Sequence, residues 1–495
     1  MTLRLLLSGL LVAVSIATAA RANPDRLAAL RPAVPCASLA GTDLASVTGT
    51  TTAVSLVREE SSGANAYCRV VGTIAPAITF EVHLPLAGWT QRYLQTGCGG
   101  LCGTLAIRPG ASIFGSEGCT PVTDGSVALA STDMGHRGTD TAWGDDPQKR
   151  TDFAERGVHL TALAAKALIQ AFYGRAPKYA YFSGCSDGGR EALIEAQRFP
   201  QDFDGVAAGA PALHFSVQNS FHHLWLARAN TGADGKALLT AIDLPPLHAA
   251  VIKACAGGDG LIDDPRRCRF DPKAVQCAGA YQPGQCLTPA QVAAVRAFYR
   301  GATGSRGERL EVAPLMPGSE LLWAGVFVPK ATDQPIFSGR IALDTVNHLL
   351  FTPNPAKLWT VADFPFDAVM VKRLEPARAL YDADNADLAA FAGHGGKLIL
   401  WHGWADPHIS PVDTLDYWQR AGRALGPAPR DAAVRLFLLP GMGHCGGEGP
   451  SQFALLAALM DWVEQGHAPD VMIAHRPADQ PPLIRTVSAW PGVAR

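Results

Sequence analysis

The stretch Gly184-Cys185-Ser186-Asp187-Gly188 lies between a short apolar run, Tyr179-Ala180-Tyr181-Phe182, and a helical run that starts near Gly189. A strand that feeds a helix through a G-x-S-x-G turn narrows the possible folds sharply. The turn is too tight for side chains at both glycines, and it leaves the serine hydroxyl at the end of the strand. That is a nucleophile elbow on a mainly parallel sheet.

The flanking pattern agrees. Strand-like runs at 79–84, 93–96 and 126–132 alternate with helical spacing at 158–173. This βαβ-type order predicts an α/β core with helices on both faces of the sheet. From 213 to 385 the rhythm breaks into prolines, four cysteines and scattered aromatics without a clear period. It resumes with a strand at 396–401, a helix at 414–425, a strand at 434–439 and a helix at 453–465. The predicted architecture is therefore one α/β-hydrolase-like core, 23–212 and 386–495, interrupted by an inserted lid domain, 213–385.

With 48% hydrophobic residues in 495, the chain has ample material for such a core. Its formal net charge of −2, without a basic run, argues against nucleic acid or an anionic membrane surface as partner. A small-molecule ligand remains. Residues 1–4 give a short positive start, 5–20 an apolar run, and Ala20-Arg21-Ala22 a cleavage signal. Residues 1–22 are accordingly predicted to be a signal peptide, with Asn23 the mature start, no membrane anchor after cleavage, and a secreted or periplasmic location. In an oxidising compartment the 11 cysteines should mostly pair, leaving one over. No C-x-x-C pair supports a zinc site instead.

A serine hydroxyl needs a base to take its proton, and the base needs an acid to orient it. On an α/β-hydrolase sheet these follow in the order Ser, Asp, His, on loops after successive strands. After the strand at 396–401 comes His402-Gly403-Trp404-Ala405-Asp406, and after the strand at 434–439 comes Pro440-Gly441-Met442-Gly443-His444-Cys445. Ser186, Asp406 and His444 are the candidate nucleophile, acid and base. His136 and His402 are expected to be structural histidines bonded to backbone. Cys185 precedes the serine and Cys445 follows the histidine. If Ser186 and His444 meet, their neighbours fall within the ~4.4–6.8 Å Cα separation of a disulfide. Cys185 is then a staple to Cys445, not a competing thiol.

Cys185-Ser186-Asp187, the distant Asp406 and His444-Cys445 together resemble the CS-D-HC motif of the tannase and feruloyl esterase family, which includes mono(hydroxyethyl) terephthalate hydrolases. The likeness extends through Ser131-Thr132-Asp133-Met134-Gly135-His136, Arg156-Gly157-Val158-His159, and the segments 183–212, 397–411 and 440–462. It implies an α/β-hydrolase core with a lid, and hydrolysis of esters of aromatic acids (feruloyl, galloyl or terephthaloyl) through an acyl-enzyme. It also places Gly97-Cys98-Gly99-Gly100-Leu101-Cys102-Gly103 as the oxyanion loop. The backbone N–H of Gly99 or Gly100 would be one donor and that of Asp187 the other.

Lids of this family commonly carry a calcium loop with repeated aspartates after a cysteine. Here the loop reads Cys255-Ala256-Gly257-Gly258-Asp259-Gly260-Leu261-Ile262-Asp263, so the first two aspartates are missing. Calcium takes 6–8 oxygen ligands. Asp259 and Asp263 remain as the remnants of such a site, and the expectation is a loop without cofactor, closed by Cys255–Cys268. The other expected pairs are Cys277–Cys286, Cys36–Cys68 and Cys102–Cys119, with Cys98 free. Among the lid aromatics, Trp323 and Phe327 are the candidates for a substrate slot. Two other functions stay open: an esterase or acyltransferase for aliphatic acyl groups, and a non-catalytic binding protein. Retention of the three candidate residues and both flanking cysteines argues against the last.

Overall fold

The structure, a computed structural model, describes residues 27–105, 107 and 119–492; the predicted signal peptide lies outside the described residues. Nine strands form the central sheet: β1 (Thr52–Ser62), β2 (Asn65–Ile74), β3 (Ile78–Pro85), β4 (Arg92–Thr96), β5 (Ala128–Thr132), β6 (Tyr179–Cys185), β7 (Gly205–Gly209), β8 (Lys397–Gly403) and β9 (Val434–Leu439). Their spatial order is β1-β2-β3-β5-β4-β6-β7-β8-β9. The pairs among β1, β2, β3 and β5 are antiparallel, and every pair from β5 through β9 is parallel. This is the α/β-hydrolase core that the elbow requires.

Alternate residues of the inner strands feed two hydrophobic clusters, one on each face. Phe182, Leu398 and Leu436 join Val158, Leu193 and Leu415 from the helices Gly157–Tyr173, Asp187–Arg198 and Pro411–Leu425. Tyr181, Ile399 and Phe437 join Leu456 and Trp462 of the helix Leu455–Gln465. Strand β7 escapes sequence reading because it is Gly205-Val206-Ala207-Ala208-Gly209, with no large side chain. A Cβ on Gly205 would stand 2.7 Å from the Tyr181 ring, and one on Gly209 would stand 2.1 Å from the Trp401 ring. Neighbouring aromatic rings, not strand propensity, choose those residues.

The sheet is locked to the helix Leu455–Gln465 at one point by a buried ion pair. Arg92, at the start of β4, gives Nε to Glu464 Oε1 at 2.7 Å and Nη2 to Oε2 at 2.6 Å, and the Tyr181 hydroxyl also donates to Oε1 at 2.7 Å. Both charged side chains are 1% exposed. Glu464→Leu takes the carboxylate away from a buried guanidinium and should lower stability by about 3–5 kcal/mol. The check is the denaturant midpoint at constant slope; an unchanged midpoint refutes it.

Between β7 and β8 runs a largely helical insertion with its own core, in which Leu244, Val295, Phe298, Trp323 and Phe327 pack together. Trp323 and Phe327 are both 0% exposed, and the Trp323 ring lies 5.3 Å from that of Phe327 and 5.4 Å from that of Phe298. Neither therefore serves the substrate slot expected of it; they are the centre of the insertion's core, where three rings of that size bury most area.

Five disulfides form: Cys36–Cys68, Cys98–Cys102, Cys185–Cys445, Cys255–Cys268 and Cys277–Cys286. The expected Cys102–Cys119 pair is wrong, and Cys98 is not free. The turn after β4 doubles back, with Cys102 N–H bonded to Gly99 O at 3.1 Å, so Cys98 and Cys102 stand 5.4 Å apart at Cα. Cys119 is instead the buried free thiol, 3.6 Å from Met460 Sδ in the cluster under the sheet, and burial pushes its thiol up to about 12. It is an inert apolar side chain.

Candidate active site

Ser186 has φ 67° and ψ −123°, outside the ordinary regions for an L-residue, at the step from β6 into the helix Asp187–Arg198. The surroundings enforce that strain. Ser186 N–H donates to Gly209 O at 3.0 Å, and Ser186 O accepts from Ala212 N–H at 3.0 Å. A Cβ on Gly184 would stand 2.2 Å from Gly188 O, so no other residue fits there.

Asp406 and His444 arrive on the loops after β8 and β9. His444 Nδ1–H donates to Asp406 Oδ2 at 2.7 Å. The other carboxylate oxygen accepts the backbone N–H of His408 at 2.7 Å and of Ile409 at 3.0 Å. Burial alone would raise the Asp406 carboxyl, but His444 and His402 outweigh it and hold it well below the ordinary range. Asp406 is thus an ionised, fully desolvated acceptor that fixes one His444 nitrogen as the donor and leaves Nε2 to take a proton.

His402 is a departure from expectation. Its Nε2–H donates to the same Asp406 Oδ2 at 3.1 Å and its Nδ1 accepts from the Thr414 hydroxyl at 2.8 Å, with only Ile409 O as a backbone partner at 3.2 Å. It is 0% exposed and serves as a second support for the acid. His136 is stacked on Trp143 at 4.1 Å between ring centroids.

Ser186 and His444 line one cavity of about 190 Å³, together with Gly100, Asp187, Phe215, Gln218, His223, Phe337 and His408. Of the two candidate oxyanion glycines, Gly100 faces this cavity and Gly99 does not. The Asp187 carboxylate is turned away into a bidentate pair with Arg190, at 2.6 and 3.1 Å, which leaves its backbone as the part near the site. Burial, with His444 close by, pushes the His408 imidazole down to about 4, and burial holds His223 well below the ordinary histidine value. Both rings are neutral in the cavity. A larger cavity of about 450 Å³, lined by Leu261, Leu322, Trp404 and Arg476 among others, contains none of the three candidate residues. Chemistry and not size marks the site.

Beneath the glycine-rich turn lies a residue that sequence reading missed. Glu191 is fully buried, accepts the Cys98 N–H at 3.2 Å, and sets Oε1 at 3.0 and 3.1 Å from the two disulfide sulfurs. Burial, then the neighbouring Asp187, push its carboxyl well above the ordinary range. An oxidised sulfur has no hydrogen to give, so the proton in these contacts belongs to Glu191. No local motif marks it; only its place one helical turn after Asp187 does.

The remnant calcium loop does not fit the ion. Arg485 sets its guanidinium between the two carboxylates, 2.6 Å from Asp259 and 3.2 Å from Asp263, and Arg266 and Arg267 hold Asp264. The protein thereby supplies its own positive charge to the few carboxylates there, and too few oxygens remain for calcium.

The family model described as tannase and feruloyl esterase matches residues 61–495. The chain is 32% identical to the mono(2-hydroxyethyl) terephthalate hydrolase of Piscinibacter sakaiensis, over 82% of this chain and 78% of that one. It is 31% identical to feruloyl esterase B of Aspergillus niger, with the same two coverages. The crystal structure of feruloyl esterase B from Aspergillus oryzae superposes with a TM-score of 0.77 at 26% identity, covering 92% of this chain and 95% of that one.

Proposed function

Because the chain belongs to the tannase and feruloyl esterase family, and is accordingly a carboxylic ester hydrolase, we propose that it is an exported serine esterase that releases aromatic acids from their esters. Ser186 Oγ attacks the ester carbonyl while His444 Nε2 takes its proton, and Asp406 stabilises the imidazolium. The backbone N–H groups of Gly100 and Asp187 receive the developing oxyanion. His444 then protonates the departing alcohol. A water molecule, deprotonated by the same imidazole, frees the acid from Ser186.

The observation that carries this reading is the convergence of Ser186 and the Asp406-bonded His444 on one cavity, with their chain neighbours joined by Cys185–Cys445. Two supports favour an aromatic acyl or alcohol group: the rings of Phe215 and Phe337 in the cavity wall, and the ferulate and terephthalate esters in the relatives' names. Export rests on residues 1–22 and on the five disulfides.

A panel of ferulate, gallate and mono-terephthalate esters beside an acetate ester tests the reading; a preference for acetate sinks the aromatic part. The insertion's contribution is tested at Phe337. Its ring is 37% exposed and walls the cavity from the insertion side. Phe337→Ala should lower kcat/KM for an aromatic ester about tenfold more than for the acetate ester, the scale of one lost ring contact. Equal losses on both would remove Phe337 from substrate recognition.

A further inference from the structure

Gln218 lies in a π-helical turn, Gln218–His222, at the start of the insertion, and it borders two cavities. One is the catalytic cavity. The other is small, about 10 Å³, lined also by His214, His222 and Asp413. A volume of that order admits the centre of a single water-sized sphere.

Each of these four residues carries a buried polar atom without a protein partner: His214 Nε2, Gln218 Oε1, His222 Nε2 and Asp413 Oδ1. Gln218, His214 and His222 are more than nine-tenths buried. Four such atoms on residues that line one cavity are costly to leave unmatched. Their chemistry is complementary. His222 Nδ1 is committed to Glu311 at 2.6 Å, and His214 Nδ1 faces Asp384 at 3.5 Å. Burial opposes charge on both rings, but the carboxylates prevail and raise both above the ordinary histidine value. With Nδ1 turned to a carboxylate, each ring has Nε2 left, a donor when the ring is charged. Gln218 Oε1 accepts, and burial pushes the Asp413 carboxyl up to about 7, so Oδ1 accepts when ionised and can donate when protonated. One water molecule, with two lone pairs and two hydrogens, can partner up to four such groups.

A metal ion fits less well. It needs its ligand atoms drawn in to about 2 Å. Among the described residues, the sets of three candidate ligands lying within 4.8 Å of one another do not bring His214, His222 and Asp413 together. The partners of one water can stand up to about 5.6 Å apart, twice an ordinary hydrogen-bond length.

We propose that this small cavity binds one water molecule that bridges His214, Gln218, His222 and Asp413, and that the water sets the Gln218 amide so that its N–H faces the ester in the catalytic cavity. With Oε1 committed to the water, Nε2 is the end left to the catalytic side. The wall beside Ser186 then presents a hydrogen-bond donor, which reads an oxygen acceptor on the ring of the substrate. The bridge also ties the insertion, through Gln218 and His222, to the helix Pro411–Leu425 that follows the Asp406 loop. The amide's role in recognition rests on the esterase reading above; the water does not.

A high-resolution crystal structure of the full chain with anomalous data decides the first part. The expected result is one peak without anomalous signal, within hydrogen-bond distance of at least three of the four atoms. A cavity without density, or a peak with metal distances, overturns it. Kinetics decide the second. The unmodified enzyme should favour methyl ferulate over methyl cinnamate, and Gln218→Leu should erase about a tenfold preference, through KM and not kcat. A preference that survives in Gln218→Leu overturns the assignment of the amide. Loss of all esterase activity in the unmodified enzyme would instead strike the functional reading and leave the density test standing.

Discussion

Ser186→Ala is expected to lower kcat by on the order of 10⁴–10⁶-fold while the protein melts as before. Alanine adopts the φ of 67° at this position no worse than serine does, because the strain is imposed on the backbone by the bonds to Gly209 and Ala212. Only the nucleophile is lost. His444→Ala should be nearly as severe, since without it nothing takes the hydroxyl proton. Asp406→Asn should cost roughly 10⁴-fold. An amide NH₂ at Oδ2 would face two N–H donors, from His444 at 2.7 Å and His402 at 3.1 Å, so the imidazole must turn or change tautomer. The measurement is the burst and steady-state release of nitrophenol from an activated aryl ester, beside a thermal melt of each variant. Near-normal turnover in Ser186→Ala would end the serine mechanism.

What sequence reading captured and what it missed separate along a physical line. The elbow, the loops that carry Asp406 and His444, and the buried strands β3, β4, β5, β6, β8 and β9 are local: a turn of glycines or a run of apolar residues carries its own instruction. Strand β7 does not, because its composition answers to the Tyr181 and Trp401 rings that pack on it. The Cys98–Cys102 bridge depends on how a glycine-rich turn folds back, which spacing alone does not reveal. The aromatics of the insertion show the same limit. Trp323, Phe327 and Phe337 look alike in sequence, yet the first two are 0% exposed in the insertion's core and the third lines the same cavity as Ser186. His402 was legible as a histidine near the acid; that it shares the same carboxylate oxygen as His444 is a tertiary fact.

The Cys185–Cys445 bridge carries the second large expectation, because stability and catalysis should both depend on it. It closes a sequence separation of 260 residues, for which loss of chain entropy in the unfolded state gives roughly 5 kcal/mol as an upper bound. The segment 441–449 that carries His444 holds five glycines, and Cys445 itself sits at φ 60°, so little in its own backbone fixes the loop. Two tethers locate the imidazole: the bond to Asp406 and the disulfide to the residue before Ser186. Replacing both cysteines by serine removes one of them. The folded fraction should fall at a lower denaturant concentration, and kcat should drop on the order of 10²-fold even where the protein is fully folded, as expected when a base drifts by about an ångström from its nucleophile. The matched control is Cys277–Cys286, whose separation is 9 residues within the insertion. Its removal should cost roughly half as much stability, on the order of 2–3 kcal/mol, with kcat unchanged. If the two double variants prove alike in kcat, the staple is a stability device only, and the glycine-rich loop holds His444 in place without it.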